Sequence, residues 1–309
     1  MKAAAFRAYG GPEALEIIDV EKPRPGPGEV LVAVHAASVN PVDWKMRQGL
    51  LKDYFPVTFP RIVGRDMAGE IAELGAGVTG LKVGDRVYAL GDAPKQGTLA
   101  EFLPIDAGLV RAMPARLGFV EAAALPLAFL TAWISLVQTG ALKRGERILI
   151  HAGAGGVGSM AIQIAKHIGA TVIATCSARN VDYVRGLGAD QAIDYKTTDF
   201  STALHDLDVV YDTVGGDVYD RSFKPLKPGG RLVWIRATPP QGAVMRPDVA
   251  VKLAVVNRQP ELLDTLRELA EARVLKPQVD VVLPLTEARE ALRLSQEGHA
   301  RGKIVVKVR

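Results

Sequence analysis

Three glycines carry the most specific chemistry in this chain. Gly153, Gly155 and Gly158 stand at G-x-G-x-x-G spacing within residues 152–159 (AGAGGVGS), directly after the apolar run RILIH and before MAIQIAKHIG. A strand that feeds such a loop into a helix is the context in which this spacing receives a dinucleotide. Gly153 allows the tight turn, Gly155 lets backbone approach a pyrophosphate, and Gly158 lets helix and strand pack closely. The N–H groups of Gly156, Val157 and Gly158, at the head of the helix, then face the phosphates.

An NAD site carries Asp or Glu about 20 residues beyond the first glycine, to bind the ribose hydroxyls. Residues 172–178 (VIATCSA) hold no acid, and Ser177 is followed closely by Arg179 and Asn180. A phosphate needs donors and positive charge, and a carboxylate would repel it. The expected cofactor is therefore NADPH, with Arg179 at its 2′-phosphate. The alternative is a solvated Arg179 and use of either cofactor.

Metal ligands are scarce. Cys176 is the single cysteine, and His35, His151, His167, His205 and His299 show no ligand spacing. Each histidine reads as a core or surface residue, and no metal site is expected. One cysteine also excludes an intrachain disulfide.

The elements that must position these residues fall into two patterns. Up to about residue 120, short strands (30–34, 67–74, 86–90, 99–103) lie between glycine and proline punctuation, and residues 21–29 (EKPRPGPGE) read as a loop. That pattern predicts a largely antiparallel β-domain. Beyond it, strands at 147–151, 171–176, 191–193, 207–212, 231–235 and 251–256 alternate with helices at 156–168, 181–187 and 218–225. Alternation of this kind predicts βαβ units and a doubly wound parallel sheet of Rossmann type. After Pro260 come helix 261–272, strand 278–283, helix 287–296 and strand 303–308. A final strand so apolar needs a sheet to join, so the β-domain is predicted to be discontinuous.

Composition fits this division. At about 150 residues per domain, 309 residues make two domains. With 48% hydrophobic and 23% charged residues, the chain has core material that a disordered chain lacks. The 38 basic and 34 acidic residues are interspersed, Lys143-Arg144 being the longest basic cluster noted, so no nucleic-acid partner is expected. Residues 1–10 have no signal-peptide apolar region. The uncharged stretch 122–142 contains Pro126, Thr131, Ser135, Gln138, Thr139 and Gly140, which suits a buried helix better than a membrane span. The expected location is a reducing cytoplasm.

Motifs along nearly the whole chain then point to a family. They are 37–43 (ASVNPVD), 63–71 (VGRDMAGEI), 83–87 (VGDRV), the phosphate loop, 187–190 (LGAD), 212–216 (DTVGG), 226–233 (LKPGGRLV) and 298–305 (GHARGKIV). Together they resemble the medium-chain dehydrogenase/reductase superfamily, and within it the zinc-free quinone oxidoreductase branch that includes zeta-crystallin. The resemblance implies a GroES-like β-barrel domain from 1–122 and 258–309, and a Rossmann dinucleotide-binding domain at 123–257. It also implies an active site in the cleft between the domains, and a homodimer.

The chain departs from zinc-dependent relatives at their metal ligands. Those positions fall at Asn40, at Arg65 and near Leu127, and none supplies a thiolate or imidazole. Zinc polarises a carbonyl by several kcal/mol, so without it an unactivated ketone is a poor substrate. A quinone or an α,β-unsaturated carbonyl accepts hydride more readily, because the resulting anion is delocalised. The expected activity is NADPH-dependent reduction of such acceptors. The alternatives are an NADPH-dependent 2-enoyl thioester reductase and an NADPH-binding protein without turnover.

Candidate site residues follow from the same resemblance. Asn40 is expected at the cofactor ribose or substrate, or else as a helix cap. Trp44 and Tyr54 are candidates for an aromatic wall, with Tyr54 a candidate proton donor, and core packing or a surface place is the alternative. Thr131 resembles the residue beside the nicotinamide, Tyr195 the tyrosine flanking the 2′-phosphate, and Gly215 the turn that passes the nicotinamide. Lys303 resembles a C-terminal lysine pointing into the cleft, with a solvated face as its alternative. Residues 236–247 (RATPPQGAVMRP) are shorter than the matching stretch of typical quinone reductases, which leaves the acceptor open.

Overall fold

The computed structural model describes residues 1–92, 95–235 and 246–309. The chain begins with β1 (Lys2–Phe6), β2 (Leu15–Asp19) and β3 (Glu29–Val39), then α1 (Pro41–Arg47). Four short strands and one long one follow: β4 (Arg61–Ile62), β5 (Asp66–Leu74), β6 (Arg86–Leu90), β7 (Phe102–Asp106) and β8 (Arg111–Ala112). The uncharged stretch is broken into α2 (Phe119–Ala123), α3 (Pro126–Trp133) and a π-helical turn, Ile134–Thr139. Pro126 explains the first break, since proline cannot supply the N–H that a continuing helix requires.

The alternating region gives β9 (Arg147–Ile150), α4 (Gly156–Ile168), β10 (Thr171–Cys176), α5 (Val181–Gly186), β11 (Gln191–Asp194) and α6 (Phe200–Ala203). It continues through β12 (Leu207–Asp212), α7 (Asp217–Arg221), β13 (Leu226–Trp234) and β14 (Ala250–Leu253). The last stretch is α8 (Glu261–Glu271), β15 (Val279–Pro284), α9 (Ala288–Glu297) and β16 (Lys303–Lys307).

These elements form two units: Met1–Leu127 with Arg258–Arg309, and Ala128–Asn257. The first boundary falls after Leu127 rather than after Ala122, because α2 packs on β3 and β5 of the first unit. Residues 236–247, expected to be short, lie mostly outside the described residues.

In the first unit β3 is the organising strand. It pairs antiparallel with β5, β7 and β16, so its sequence EVLVAVHAASV is buried along most of its length. The seven-stranded sheet runs β15-β16-β3-β5-β6-β8 with β7 also on β3, and a second sheet runs β2-β1-β4. The terminal strand thus joins the amino-terminal sheet, as its apolar character requires. Helix α9 buries Ala288, Ala291 and Leu292, the i, i+3, i+4 stripe of an amphipathic helix.

In the second unit six parallel strands run β11-β10-β9-β12-β13-β14. In chain order within the unit that is 3-2-1-4-5-6, the doubly wound arrangement of dinucleotide-binding folds. The central strands read as continuous apolar runs because both faces are covered. Helix α4 ends at Gly169, whose φ of 93° lets its N–H close on Ala165 and Lys166 carbonyls.

Candidate active site

In the second unit, β9 leads into the glycine loop through His151. Its Nδ1 lies 3.1 Å from Thr175 Oγ1 and its Nε2 3.0 Å from Ser222 Oγ. The ring is 1% exposed, and burial pushes its pKa down to about 3, with Arg221 adding to the fall. His151 is therefore a neutral core histidine that ties three elements together.

The three loop glycines divide their tasks. A Cβ on Gly158 would lie 2.2 Å from the Ala152 carbonyl oxygen, and one on Gly153 would lie 2.8 Å from Ala174 Cβ. Both positions are closed by packing. A Cβ on Gly155 would meet only the Ala152 oxygen, at 3.4 Å, so this face of the loop is open. Gly155 also caps α4 without a side-chain hydrogen bond, leaving the helix's leading N–H groups for a ligand.

At the carboxyl end of β10, Asn180 Nδ2 donates to Ser177 Oγ at 3.2 Å, and Arg179 is exposed. Tyr195 follows β11, donates its N–H to the Cys176 carbonyl at 3.1 Å and is 53% exposed. The structure thus brings Ser177, Arg179, Asn180 and Tyr195 to one strand end. The neighbouring carboxylate, Asp194, accepts from the Lys196 N–H at 3.1 Å. Beyond β12, Asp212 accepts from the N–H groups of Val214 at 2.7 Å and Gly215 at 2.9 Å, which fixes the turn containing Gly215. Thr131 is buried in α3.

The first unit holds a buried polar cluster centred on Asp66. Its Oδ2 accepts from Ser38 Oγ at 2.7 Å, Asn40 Nδ2 at 2.8 Å and Lys303 Nζ at 3.5 Å. Its Oδ1 accepts from the Leu127 N–H at 2.8 Å. Lys303, 6% exposed, also donates to the Val39 carbonyl at 2.9 Å and to Asn40 Oδ1, so it is no solvated residue. Burial lowers its pKa, against the pull of Asp66 and Asp43. Asn40 heads α1, and its N–H donates to Asp43 at 2.7 Å, while its side-chain amide is turned to Asp66 and Lys303. Burial pushes the Asp43 carboxyl up to about 7. The Asp66 charge adds to that rise, and the Asn40 N–H, Lys303 and Arg65 oppose it.

Asp66 was missed as a site residue, although a signal exists. It is an acid at the head of the apolar run 67–74, and a carboxylate entering a buried strand must find donors. Trp44 is half-buried against the core of this unit, with Nε1 buried and without a partner among the described residues. Tyr54 is 67% exposed on the turn after α1.

Comparison with known proteins bears on both units. Residues 26–115 match the family model of the alcohol dehydrogenase GroES-like domain, and residues 187–306 match that of the zinc-binding dehydrogenase. The chain is 36% identical to the chloroplast envelope quinone oxidoreductase homolog of Arabidopsis thaliana, over 99% of this chain and 98% of that protein. It is 38% identical to the NADPH-dependent alkenal/one oxidoreductase of the same plant, over 99% of this chain and 79% of that one. The structure of the Escherichia coli quinone oxidoreductase complexed with NADPH superposes with a TM-score of 0.88 at 29% identity, covering 100% of both chains. The chain belongs to the medium-chain dehydrogenase/reductase superfamily, in its quinone oxidoreductase branch.

For this medium-chain dehydrogenase/reductase, the described residues do not fit a catalytic zinc. They contain no group of three or more His, Cys, Asp or Glu side chains placed to hold a metal ion. The positions that the family resemblance assigns to zinc ligands fall at Asn40, at Arg65 and near Leu127. The Asn40 amide and the Leu127 N–H both serve Asp66, and the cation seated between Asn40 and Asp66 is the Lys303 ammonium. A second cation there would be repelled, and no thiolate or imidazole is present to hold it. A nicotinamide dinucleotide does fit: Gly155 leaves a space that a side chain would fill, beside helix N–H groups without a cap.

Proposed function

We propose that this chain transfers hydride from NADPH to quinones and α,β-unsaturated carbonyls. The observation that carries the reading is an open phosphate loop in the second unit, in a chain whose Asn40–Asp66–Lys303 cluster offers a metal neither thiolate nor imidazole. The names of the two plant relatives, a quinone oxidoreductase homolog and an alkenal/one oxidoreductase, support the same acceptor class. When bound, the cofactor supplies a hydride from its nicotinamide ring. Acceptors whose anion is delocalised need least help with the charge that hydride creates, and hydrogen-bond donors suffice for the remainder.

The residues divide as follows in this reading. Gly153, Gly155, Gly156, Val157 and Gly158 hold the pyrophosphate. Ser177, Arg179, Asn180 and Tyr195 hold the 2′-phosphate, and Thr131 and Gly215 border the nicotinamide. Asn40 and Lys303, locked together through Asp66, position ribose or substrate oxygens, and Trp44 and Tyr54 supply aromatic surface to a flat acceptor. NADPH is preferred over NADH because the donors at the β10 end include a guanidinium, while Asp194 is turned to Lys196. The chain works as a homodimer in a reducing compartment. An apolar edge supports the dimer, since Leu253 and Val255 at and beyond β14 are 40% and 68% exposed.

The test is oxidation of NADPH and of NADH, followed by nicotinamide absorbance, against quinones, enals, enones, 2-enoyl thioesters and simple aldehydes. Turnover of quinones or enones with NADPH preferred supports the proposal. Tight NADPH binding without turnover of any acceptor replaces it with a binding role. Arg179→Ala should weaken NADPH at least tenfold more than NADH, since a charge-assisted phosphate contact is worth about 1.5–3 kcal/mol; equal losses remove Arg179 from the phosphate.

A further inference from the structure

A cavity of about 440 Å³ lies within the first unit, where the edges of its two sheets meet. β2 ends the three-stranded sheet and β15 ends the seven-stranded one. The apolar lining comes from Ile17 on β2, Val282 and Leu283 on β15, and Leu285 just beyond it. Leu285 is buried in the core of the unit and Ile17 and Leu283 pack against that core, whereas Val282 is 46% exposed. Sites for small molecules have volumes of about 300–1,000 Å³, mostly apolar walls and a few polar groups. None of the lining residues belongs to the phosphate loop or to the Asp66 cluster.

The polar lining is cationic. Lys2, Lys307 and Arg309 bring three cationic side chains against the single carboxylate side chain of Glu101. That carboxylate already accepts from the Lys2 N–H at 2.8 Å. Arg309 is held in place: its Nη2 donates to the Glu101 carbonyl at 3.3 Å, and its guanidinium lies 4.3 Å from the centre of the Phe102 ring. Its N–H also reaches the His35 carbonyl at 3.3 Å. Lys2 shares its ammonium with Asp19 at 3.6 Å. Lys307, exposed at the end of β16, has no acidic partner among the described residues.

We propose that this cavity binds a medium-chain aliphatic carboxylate, with its hydrocarbon chain on Ile17, Val282 and Leu283 and its carboxylate at Lys307 and Arg309. Cations beside an apolar wall suit a ligand divided in the same way, because each half then meets its complement. An extended peptide is the other occupant that two strand edges invite. Three features obstruct it. Pro284 has no N–H to offer, the pairing of β15 shifts register between Val279 and Val281, and Arg289 occupies the Leu15 carbonyl of β2 at 2.9 Å. The proposal is independent of the reductase reading and adds a ligand site outside the nucleotide-binding unit.

Hexanoate, octanoate and decanoate are titrated into the full chain by calorimetry, with and without saturating NADPH. Decyltrimethylammonium serves as a cation with the same hydrocarbon chain. Decanoate is expected to bind with a Kd below about 1 mM. Each buried methylene contributes about fourfold in affinity, so hexanoate should bind weaker than decanoate by about tenfold or more. Lys307→Glu and Val282→Asp, both at exposed positions, should each weaken decanoate by about tenfold and leave NADPH affinity unchanged. In hydrogen exchange, decanoate should protect peptides covering residues 15–19 and 279–287. Thermal midpoints check the fold of both variants, and if Val282→Asp melts lower, Lys307→Glu alone decides. Absence of decanoate binding up to about 5 mM, equal binding of decyltrimethylammonium, or unchanged affinity in Lys307→Glu overturns the assignment. Displacement of decanoate by NADPH places the anion on the phosphate loop and overturns it as well.

Discussion

Replacing Asp66 by Asn should cost the first unit more than replacing its cationic partner. The wild-type carboxylate takes one donor on Oδ1 and three on Oδ2, from β3, the start of α1, β16 and the segment entering α3. An amide offers only one acceptor oxygen. Turned either way, its NH₂ faces at least one N–H or O–H donor, and Lys303 loses its directly bonded carboxylate, keeping only the weaker pull of Asp43. Removing one member of a buried ion pair costs about 3–5 kcal/mol.

Lys303→Met leaves Asp66 with three uncharged donors at 2.7–2.8 Å, so its cost should be smaller. In Asp66→Asn, Lys303 has one escape, loss of its proton. Its folded pKa, already lowered by burial, falls further, so the native state binds fewer protons than the unfolded state below the lysine's ordinary value. Stability of the variant therefore rises with pH toward about 10, and the deficit against wild type shrinks over that window.

Hydrogen exchange of peptides covering β3, β5 and β16 reports the first unit separately. A loss of 3 kcal/mol there raises exchange by about 10²-fold near neutral pH. If Asp66→Asn proves no more costly than Lys303→Met, or costs under about 1 kcal/mol, Asp66 is not the centre that holds these elements together.

Two further predictions concern the second unit. Gly158→Ala places a Cβ against backbone at 2.2 Å and should destabilise the unit by about 1–3 kcal/mol or more, whereas Gly155→Val should leave its thermal midpoint nearly unchanged and abolish NADPH binding. Calorimetric unfolding and cofactor titration of both variants check this, and a Gly155→Val protein with normal affinity would sink the loop assignment. His151 is neutral when folded, with a pKa of about 3 against about 6.5 unfolded, so the unfolded state binds the extra proton between those values and stability falls as pH drops through that window. His151→Gln should flatten this acid limb in exchange measurements on β9 and β12; an unchanged slope would show that other groups set it.

The second unit was readable because its signals are local. Alternating strands and helices repeat over a few residues, and the glycine loop lies within eight, so the parallel sheet and the open face at Gly155 follow from adjacent residues. Strands β1 and β2 and helix α1 gave weaker signals. They are short, and β1 gains its burial from pairing with β2 and β4 rather than from its own alternation.

The chemistry of the first unit belongs to tertiary structure. Asn40 and Asp66 are separated by 26 residues and Lys303 and Asn40 by 263, and no local pattern states that their side chains meet. A lysine in a terminal strand is equally legible as a solvated residue, and only β16 entering the sheet beside β3 makes Lys303 a buried donor. The same contacts fix Asp66 as their acceptor and engage the carboxylates around Arg65. The sequence by itself determined the nucleotide loop and the two-unit plan, because each rests on residue type and short spacing, whereas the positions a metal would need came from the family resemblance. The fold alone decided which charges are desolvated and which donors are already used, because burial and pairing depend on strands brought together from opposite ends of the chain.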